Sequence, residues 1–325
     1  MMDNYKMQYK KIFDPEKPYE PVSTLEMRNH SVDRRDGILY EYTESIVLAV
    51  NVALATGRPL LLRGPSGSGK SSLAPWVARI MGWRYYEDVI SSRTQAKDLL
   101  WHFDSLRRLN DAQAMHQLQN DIHYIEPSVL WWAFDRESAE RRGAGKGIDV
   151  TPVQEPNREI NELRRRLGVD DRAVVLLDEI DKAEPDVPND LLVPLGSLQF
   201  SAGKAGMIQA KQPPFVVMTS NDERELPVAF LRRCVVLELP TPSSQRLIRI
   251  ATIHFGAEHK RLYEQLATKI DQLRDAAIAQ GRRPPSAPEF LDAVRACLQL
   301  RSDAAQPDDQ FWEQILQVTL IKRSW

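Results

Sequence analysis

The chain has 325 residues, few cysteines and almost no net charge. Its two cysteines, Cys234 and Cys297, lack metal-ligand spacing and argue for a reducing compartment without a disulfide framework. The formal net charge is −2, so no overall field attracts nucleic acid or anionic lipid. No apolar run approaches a membrane span, and the N-terminus has no signal-peptide pattern. We therefore expect a cytoplasmic globular protein without membrane contact.

What the sequence does contain is a glycine loop between an apolar run and the start of a helix. Leu60–Leu62 precedes a segment of the form G-x-x-x-x-G-K-S. Glycines let backbone N–H groups turn toward phosphates at the positive end of a helix. Lys70 is predicted to reach the β- and γ-phosphates, and the Ser71 hydroxyl to bind Mg²⁺. The predicted phosphate-binding residues are Gly64, Pro65, Ser66, Gly67, Ser68, Gly69, Lys70, Ser71 and Ser72.

A pair of acidic residues closes the most apolar strand pattern in the chain. Ala173–Leu177 is apolar and rich in branched side chains, as expected for a parallel strand covered on both faces. Asp178 and Glu179 follow it directly. We predict that Asp178 holds Mg²⁺, directly or through water, opposite the phosphate loop. Glu179 is predicted to polarise an attacking water.

Two further polar segments lie beside predicted strands. Asn221 follows the strand over 214–219, and the carboxyl ends of parallel strands share one rim, so its amide is predicted to face the same crevice. A simple turn is the alternative. Arg232 and Arg233 precede the strand over 234–239. The residues alone leave two interpretations open: surface charge, or a charge clamp on a neighbouring subunit's nucleotide.

The remaining pattern predicts an irregular arm, an α/β body and a helical end. The arm covers residues 1–36, and apolar Trp131–Phe134 is predicted to pack in a core. Two helices are predicted in the body, over 40–56 and 94–109, the second with an aromatic interruption at Trp101 and Phe103. Beyond residue 241 the spacing predicts four more. The predicted strands cover 59–62, 83–90, 173–179, 214–219 and 234–239, and the late helices cover 243–259, 260–280, 287–301 and 308–323.

These motifs together resemble those of an AAA+ ATPase, in order and spacing, from about residue 40 to 300. Within that superfamily the chain is most similar to the MoxR-like group. The run Asp178–Ala183 reads DEIDKA, and the segment 196–214 looks like that group's β-hairpin. The resemblance implies a P-loop body over 37–240 with sheet order 5-1-4-3-2 and an insert within about 91–170. It also implies a small helical lid over 241–325.

The resemblance carries further expectations about function. It implies Mg²⁺-dependent ATP hydrolysis in a ring, commonly a hexamer, with Arg233 as the trans-acting finger and Arg232 as the alternative. MoxR-like proteins typically remodel protein partners, often with a partner that has a von Willebrand factor A domain. The segments around Tyr40 and over 284–290 are expected to touch the base. The usual second sensor arginine is missing from 284–290, and Arg282 or Arg283 could replace it.

Two alternative functions stay open. McrB-like restriction motors share much of this pattern, so the protein could be a nucleic-acid-linked NTPase, although no recognisable reading module is present. A nucleotide-gated switch, in which binding rather than turnover matters, is the third interpretation. The intact Glu179 argues against it.

Overall fold

The computed structural model describes residues 9–18, 37–114, 120–145, 147–158, 161, 171–300 and 310–320. The strands in these ranges are β1 Leu60–Arg63, β2 Arg84–Val89, β3 Trp101–Phe103, β4 Ile125–Pro127, β5 Ala173–Asp178, β6 Gln199–Ser201, β7 Met207–Gln209, β8 Phe215–Ser220 and β9 Val235–Glu238. The α-helices are α1 Glu44–Thr56, α2 Lys70–Met81, α3 Ser105–Gln113, α4 Val129–Phe134, α5 Arg136–Glu140, α6 Asp186–Ser197, α7 Val228–Leu231, α8 Ser244–Phe255, α9 Lys260–Ala279, α10 Ala287–Leu300 and α11 Gln310–Thr319.

The body is built on one five-stranded sheet, with order β2-β5-β8-β1-β9 and every pairing parallel. When these five strands are numbered one to five along the chain and the sheet is read from β9 to β2, the order is 5-1-4-3-2. This order confirms the predicted fold. All six residues of β5 and all six of β8 are buried. Because both faces of these central strands are covered by apolar side chains, their sequences show no polar alternation.

Apolar side chains cover the two faces of the sheet in separate clusters. One cluster includes α1 and α2. The other includes α4, and Trp131–Phe134 is fully buried there, as predicted. The Phe200 ring of β6 lies 5.9 Å from the Trp131 ring and 5.6 Å from the Phe134 ring. These aromatic contacts join the segment after β2 to the hairpin that precedes β8.

The segment after β2 was predicted as a helix over 94–109 with an aromatic interruption at Trp101 and Phe103; the helical assignment before Ser105 was wrong, and the interruption is a strand. A short 3₁₀ turn over Ala96–Leu99 leads into β3, which pairs antiparallel with β4, and α3 begins only after Asp104. The Asp104 side chain caps that helix by accepting from Arg107 N. The aromatic residues of β3 favour an extended chain, and Trp101 Nε1 donates to Ser201 O at 3.0 Å.

The predicted β-hairpin within 196–214 is present, as β6 paired antiparallel with β7. Helices α8 to α11 share a third apolar cluster. Their bounds agree with the predicted ones to within four residues at each end. Among the described residues, no helix has both the length and the hydrophobicity that a membrane span requires.

Part of the predicted N-terminal arm packs on the body. Residues 9–18 form no helix or strand, but Phe13 is fully buried, with its ring 5.3 Å from that of Trp76 in α2. The Asn51 side-chain amide holds the backbone at this contact. Its oxygen accepts from Ile12 N and Phe13 N, and its nitrogen donates to Phe13 O. The rest of the predicted arm lies outside the described residues.

Candidate active site

The glycine loop connects β1 to α2 and passes against the strand at the edge of the sheet. Gly64 has φ +137°, and a Cβ placed on it would lie 2.2 Å from Leu239 O. Only glycine fits there, because any side chain would collide with the backbone of the next strand. Gly69 sits immediately before the first turn of α2 with φ +91°. The loop therefore curls over the N-terminus of a helix, where backbone N–H groups attract anions.

Lys70 is buried beneath this loop. Its ammonium donates to Gly64 O at 2.7 Å, Pro65 O at 2.8 Å and Asn221 Oδ1 at 2.9 Å. The sheet register explains the last contact: Arg63 pairs with Ser220, so Gly64 and Asn221 leave neighbouring strands side by side. Burial lowers the pKa of Lys70, and nearby carboxylates, led by Asp178, oppose that shift.

The phosphate loop and the acidic strand end meet through one serine hydroxyl. Ser71 Oγ donates to Asp178 Oδ1 at 2.7 Å. Thr219 Oγ1 donates to the same oxygen at 2.6 Å and accepts from Glu179 N at 2.9 Å. Both predicted Mg²⁺ ligands thus lie within hydrogen-bond distance of each other, as hydroxyl and carboxylate oxygens of the kind that Mg²⁺ prefers.

Glu179 leaves the strand with a left-handed backbone, at φ +62° and ψ +47°. Such a conformation in a non-glycine residue costs about 1 kcal/mol and is common at functional sites. Its carboxylate is held by two donors: Lys182 Nζ lies 2.6 Å from Oε2, and Asn221 Nδ2 lies 3.3 Å from Oε1. Asn221 therefore contacts both Lys70 and Glu179, as its predicted position on the rim requires.

Asp181 fixes the loop that carries Asn221. It is buried, and its Oδ2 accepts from Asn221 N at 3.2 Å and from Glu223 N at 2.9 Å. Asp222, which follows Asn221, accepts from Arg63 Nε at 2.7 Å. The loops after β1, β5 and β8 are thus joined to one another at the carboxyl rim of the sheet.

A cleft of about 360 Å³ begins at this rim and extends toward the C-terminal helices. Its lining includes the loop, the acidic residues Asp178 and Glu179, charged side chains of the C-terminal helices, and an apolar part with Leu39, Ile250, Pro288 and Leu291. Two residues that line the cleft, Ser68 and Tyr40, have buried hydroxyls without a protein partner among the described residues. The cleft thus combines phosphate-binding donors, an oxygen pair for a divalent cation and an apolar part, which suits a nucleoside triphosphate with Mg²⁺.

The sequence of this region matches one protein family. Residues 59–234, more than half of the chain, match the model of the AAA domain, dynein-related subfamily. The chain belongs to this family. No curated protein matches the chain.

Solved structures that are distantly similar to this AAA protein include two mutants of RuvB from Thermotoga maritima, each 15% identical to it. They have TM-scores of 0.45 and 0.47, over 85% and 88% of this chain and 68% and 73% of theirs. A candidate ATPase from Cytophaga hutchinsonii is 13% identical, with a TM-score of 0.39, over 70% of this chain and 57% of its own.

The C-terminal helices of this AAA protein contact the phosphate loop. A Cβ on Gly67 would lie 2.6 Å from Ser286 Cβ and 2.9 Å from Pro288 Cδ. Arg283 lines a second cavity together with Glu179 and Asn221. Arg295 of α10, which the sequence analysis did not single out, lines the first cleft. Arg282 is not among the residues that line either cavity.

Glu41 provides a second connection to these helices. Its carboxylate accepts from Arg246 Nε at 2.6 Å and from Arg249 Nε at 2.9 Å, both on α8. The flanking residues face the body instead: the rings of Tyr40 and Tyr42 lie 4.9 Å and 5.2 Å from that of Trp76. This short segment therefore bridges the helix of the phosphate loop and the C-terminal helices.

Arg232 and Arg233 are exposed and lie away from the cleft of their own chain. They follow α7 and precede the edge strand β9, and neither is among the residues that line the two cavities described above. Their predicted contact with a neighbouring subunit stays a prediction.

Three contributors to the site were given no role from sequence. Asp181 and Lys182 lie inside the DEIDKA run and Thr219 ends the strand predicted over 214–219, but their contacts depend on how strands and turns are placed. Only the position of Lys182, three residues after Glu179, gave a signal, because side chains three apart lie on one side of a 3₁₀ turn.

Proposed function

We propose that this AAA protein hydrolyses ATP in the presence of Mg²⁺. The observation that carries the proposal is the meeting of Ser71 Oγ and Asp178 Oδ1 at 2.7 Å, beneath a loop that buries Lys70. A phosphate-binding loop joined to an acidic strand end is the arrangement that phosphoryl transfer needs, because the reaction depends on positioning and charge neutralisation.

Each residue has a distinct proposed role. Segment Gly64–Ser72 binds the phosphates through backbone N–H groups and the ammonium of Lys70. Ser71 and Asp178 hold Mg²⁺, which when bound neutralises charge on the phosphate oxygens. Glu179 orients and polarises the attacking water, and Asn221 holds that water or the γ-phosphate.

We further propose that the protein works as a homo-oligomeric ring, with six subunits as the expected number. The exposed positions of Arg232 and Arg233 support this, because a cation at the edge of the body can reach a nucleotide only in a neighbouring subunit. Arg233 is the proposed finger, and Arg232 is the alternative. Hydrolysis per subunit then rises with protein concentration as rings form.

The helical unit after residue 241 is proposed to act as a lid over the nucleotide. Its own apolar cluster and the contact between Ser286 and the loop at Gly67 support this division into a body over 37–240 and a lid over 241–325. Arg283 is the better candidate of the two proposed substitutes for the missing sensor arginine, since it lines the cavity that Glu179 and Asn221 share.

The proposed cellular role is remodelling of a protein partner, as in the MoxR-like group. The DEIDKA run and the hairpin of β6 and β7 support the assignment to that group. A partner with a von Willebrand factor A domain fits this proposal. Both cysteines are free and buried, which supports a cytoplasmic location.

The test is ATP hydrolysis by the parent and by Glu179→Gln, over a range of protein concentrations. We expect the variant to bind ATP normally but to turn it over at least about 100-fold more slowly. Glu137→Gln is the matched control, because Glu137 is an exposed carboxylate bonded to Lys211, outside the cleft. Equal rates for the parent and Glu179→Gln would contradict the proposed role.

Capture with the Glu179→Gln variant and ATP then separates the possible partners. Recovery of one protein under ATP and not under ADP supports remodelling. Recovery of nucleic acid, with an affinity that falls steeply with salt, would instead favour the motor interpretation. A parent that binds ATP but has no turnover at any concentration would favour the switch.

A further inference from the structure

We infer that Lys182 is a positioning residue for hydrolysis, which holds the Glu179 carboxylate at the angle from which it activates water. The inference rests on the proposed ATPase function and adds to it a residue outside the cleft, since Lys182 is not among the residues that line either cavity. Lys182 acts through Glu179 and has no proposed contact with ATP.

The local backbone brings the two side chains together. Glu179 is left-handed, and the chain continues as a 3₁₀ turn over Ile180–Lys182. In a 3₁₀ turn, side chains three residues apart lie one above the other. Glu179 immediately precedes this turn, and across it the Lys182 ammonium lies 2.6 Å from Glu179 Oε2.

The second oxygen of the same carboxylate is held separately. Asn221 Nδ2 donates to Glu179 Oε1 at 3.3 Å, and Asn221 is itself fixed through its backbone by Asp181. A carboxylate held at both oxygens, from two different loops, has little freedom to rotate. Its remaining lone pairs still accept, so the arrangement leaves capacity for a water on the cleft side.

The ion pair has little effect on folding stability, which leaves positioning as its main consequence. The Lys182 and Glu179 side chains are 39% and 30% exposed. Pairs this exposed typically contribute about 0–1 kcal/mol to the free energy of unfolding. A displacement of about 1 Å at a reacting group, by contrast, can cost about 100-fold in rate.

Lys182 also interacts electrostatically with nearby carboxylates. The hydrogen bond from Lys182 to Glu179 raises the pKa of Lys182, so the side chain stays charged at neutral pH. Besides Glu179, the carboxylates of Glu223 and Asp181 act on Lys182, and Arg283 lines one cavity together with Glu179. Loss of Lys182 removes the contact that holds Oε2 in the described part of the chain, and the Glu179 carboxylate then keeps only its Asn221 contact there.

The experiment compares Lys182→Met, Lys182→Arg and the parent by steady-state hydrolysis and ATP affinity. Lys182→Met keeps the length of the side chain but not its charge, and we expect kcat to fall on the order of 10-fold or more with the ATP affinity unchanged. Lys182→Arg keeps a donor and should recover most of the rate. Lys211→Met is the matched control, because Lys211 Nζ lies 2.6 Å from Glu137 Oε2 in a pair outside the cleft.

A double-mutant cycle with Glu179→Gln decides the mechanism. If Lys182 acts through the carboxylate, Lys182→Met causes no further loss of the residual rate in the Glu179→Gln background. Additive losses would overturn the inference, because Lys182 would then act on something else. A normal kcat in Lys182→Met would overturn the inference as well. A raised kcat would also overturn it, because the ion pair would then slow hydrolysis.

The outcomes also separate this inference from the function on which it rests. If the parent hydrolyses ATP, Glu179→Gln is impaired and Lys182→Met is normal, only the inference about Lys182 is refuted. A parent without hydrolysis, or a fully active Glu179→Gln, removes the proposed function. Thermal unfolding of every variant checks that a lost rate does not come from a lost fold.

Discussion

Thr219 bonds to Asp178 while it also holds the backbone of the next residue. Its hydroxyl donates to Asp178 Oδ1 at 2.6 Å and accepts from Glu179 N at 2.9 Å. The register of β5 and β8 brings this about, since Leu177 pairs with Met218 one step earlier. One buried hydroxyl thus positions both the proposed metal ligand and the proposed general base.

Thr219→Val should therefore impair hydrolysis strongly. The substitution keeps the shape of the side chain but leaves Asp178 with fewer donors and Glu179 N without its acceptor. We expect kcat to fall by roughly 10-fold to 100-fold, the range for residues that orient metal ligands. Steady-state hydrolysis with saturating Mg²⁺ and ATP measures this. Thr219→Ser keeps the hydroxyl and should stay close to the parent; an equally large loss there would contradict the explanation.

Tyr40→Phe should weaken nucleotide binding without a cost to the empty protein. Burial raises the pKa of Tyr40, so its hydroxyl stays protonated, and it has no partner among the described residues. We expect the affinity for ATP to fall roughly 2-fold to 10-fold, the value of one hydrogen bond, while the free energy of unfolding without nucleotide stays equal or rises. Calorimetric titration and urea unfolding measure the two quantities.

Tyr42→Phe is the control for that prediction. Tyr42 stacks on the same Trp76 ring but is 37% exposed and is not among the residues that line the cleft. Its hydroxyl should contribute nothing to the ATP affinity. If both variants bind ATP like the parent, the Tyr40 hydroxyl does not face the ligand.

Gly67→Ala should disturb both the phosphate loop and the C-terminal helices. Gly67 has φ +80°, and its new Cβ would lie 2.6 Å from Ser286 Cβ. The left-handed backbone alone costs about 1–2 kcal/mol, and the collision forces the segment at Ser286 away. We expect reduced ATP affinity, measured by titration. Gly145→Ala is the control, since nothing lies within 4 Å of its Cβ position.

Alkaline pH should destabilise the parent more than Cys234→Ala. Burial raises the pKa of Cys234 from 9.0 to about 12, with Arg58 opposing the shift. Between these values the unfolded chain has lost the thiol proton while the folded chain keeps it. The free energy of unfolding then falls with rising pH, by up to about 1.4 kcal/mol per unit.

Urea unfolding of the two proteins between pH 8 and pH 11, in steps of about one pH unit, tests this. Tyrosines titrate in both proteins, so the difference between the two curves isolates the thiol. Curves that stay parallel over the whole range would contradict a raised pKa for Cys234.

Local sequence patterns predicted the sheet well and the insert poorly. The apolar runs of β5 and β8 can be recognised as strands from sequence because both of their faces are buried. The segment that contains Trp101 cannot be recognised in this way, because its three-residue strand is defined by pairing with β4, which lies more than twenty residues later. Short strands carry too little periodicity to be separated from helix when their partner is unknown.

The candidate site divides in the same way. Residues of the phosphate loop and the acidic pair could be named from sequence, since the loop needs glycines and a lysine at fixed spacing. The contacts of Glu41 with Arg246 and Arg249 could not, because these residues are 205 and 208 positions apart and carry no motif.

The sequence by itself determined which segments are buried strands, where the glycine loop between a strand and a helix lies, and which polar side chains are candidates to act beside it. These features follow from the properties of neighbouring residues. Only the tertiary structure decided that Thr219 joins Asp178 to Glu179, that Ser286 lies against the loop, and that Glu41 pairs with Arg246 and Arg249. Such contacts depend on strand order and on packing between helices, which bring together residues that no local pattern relates.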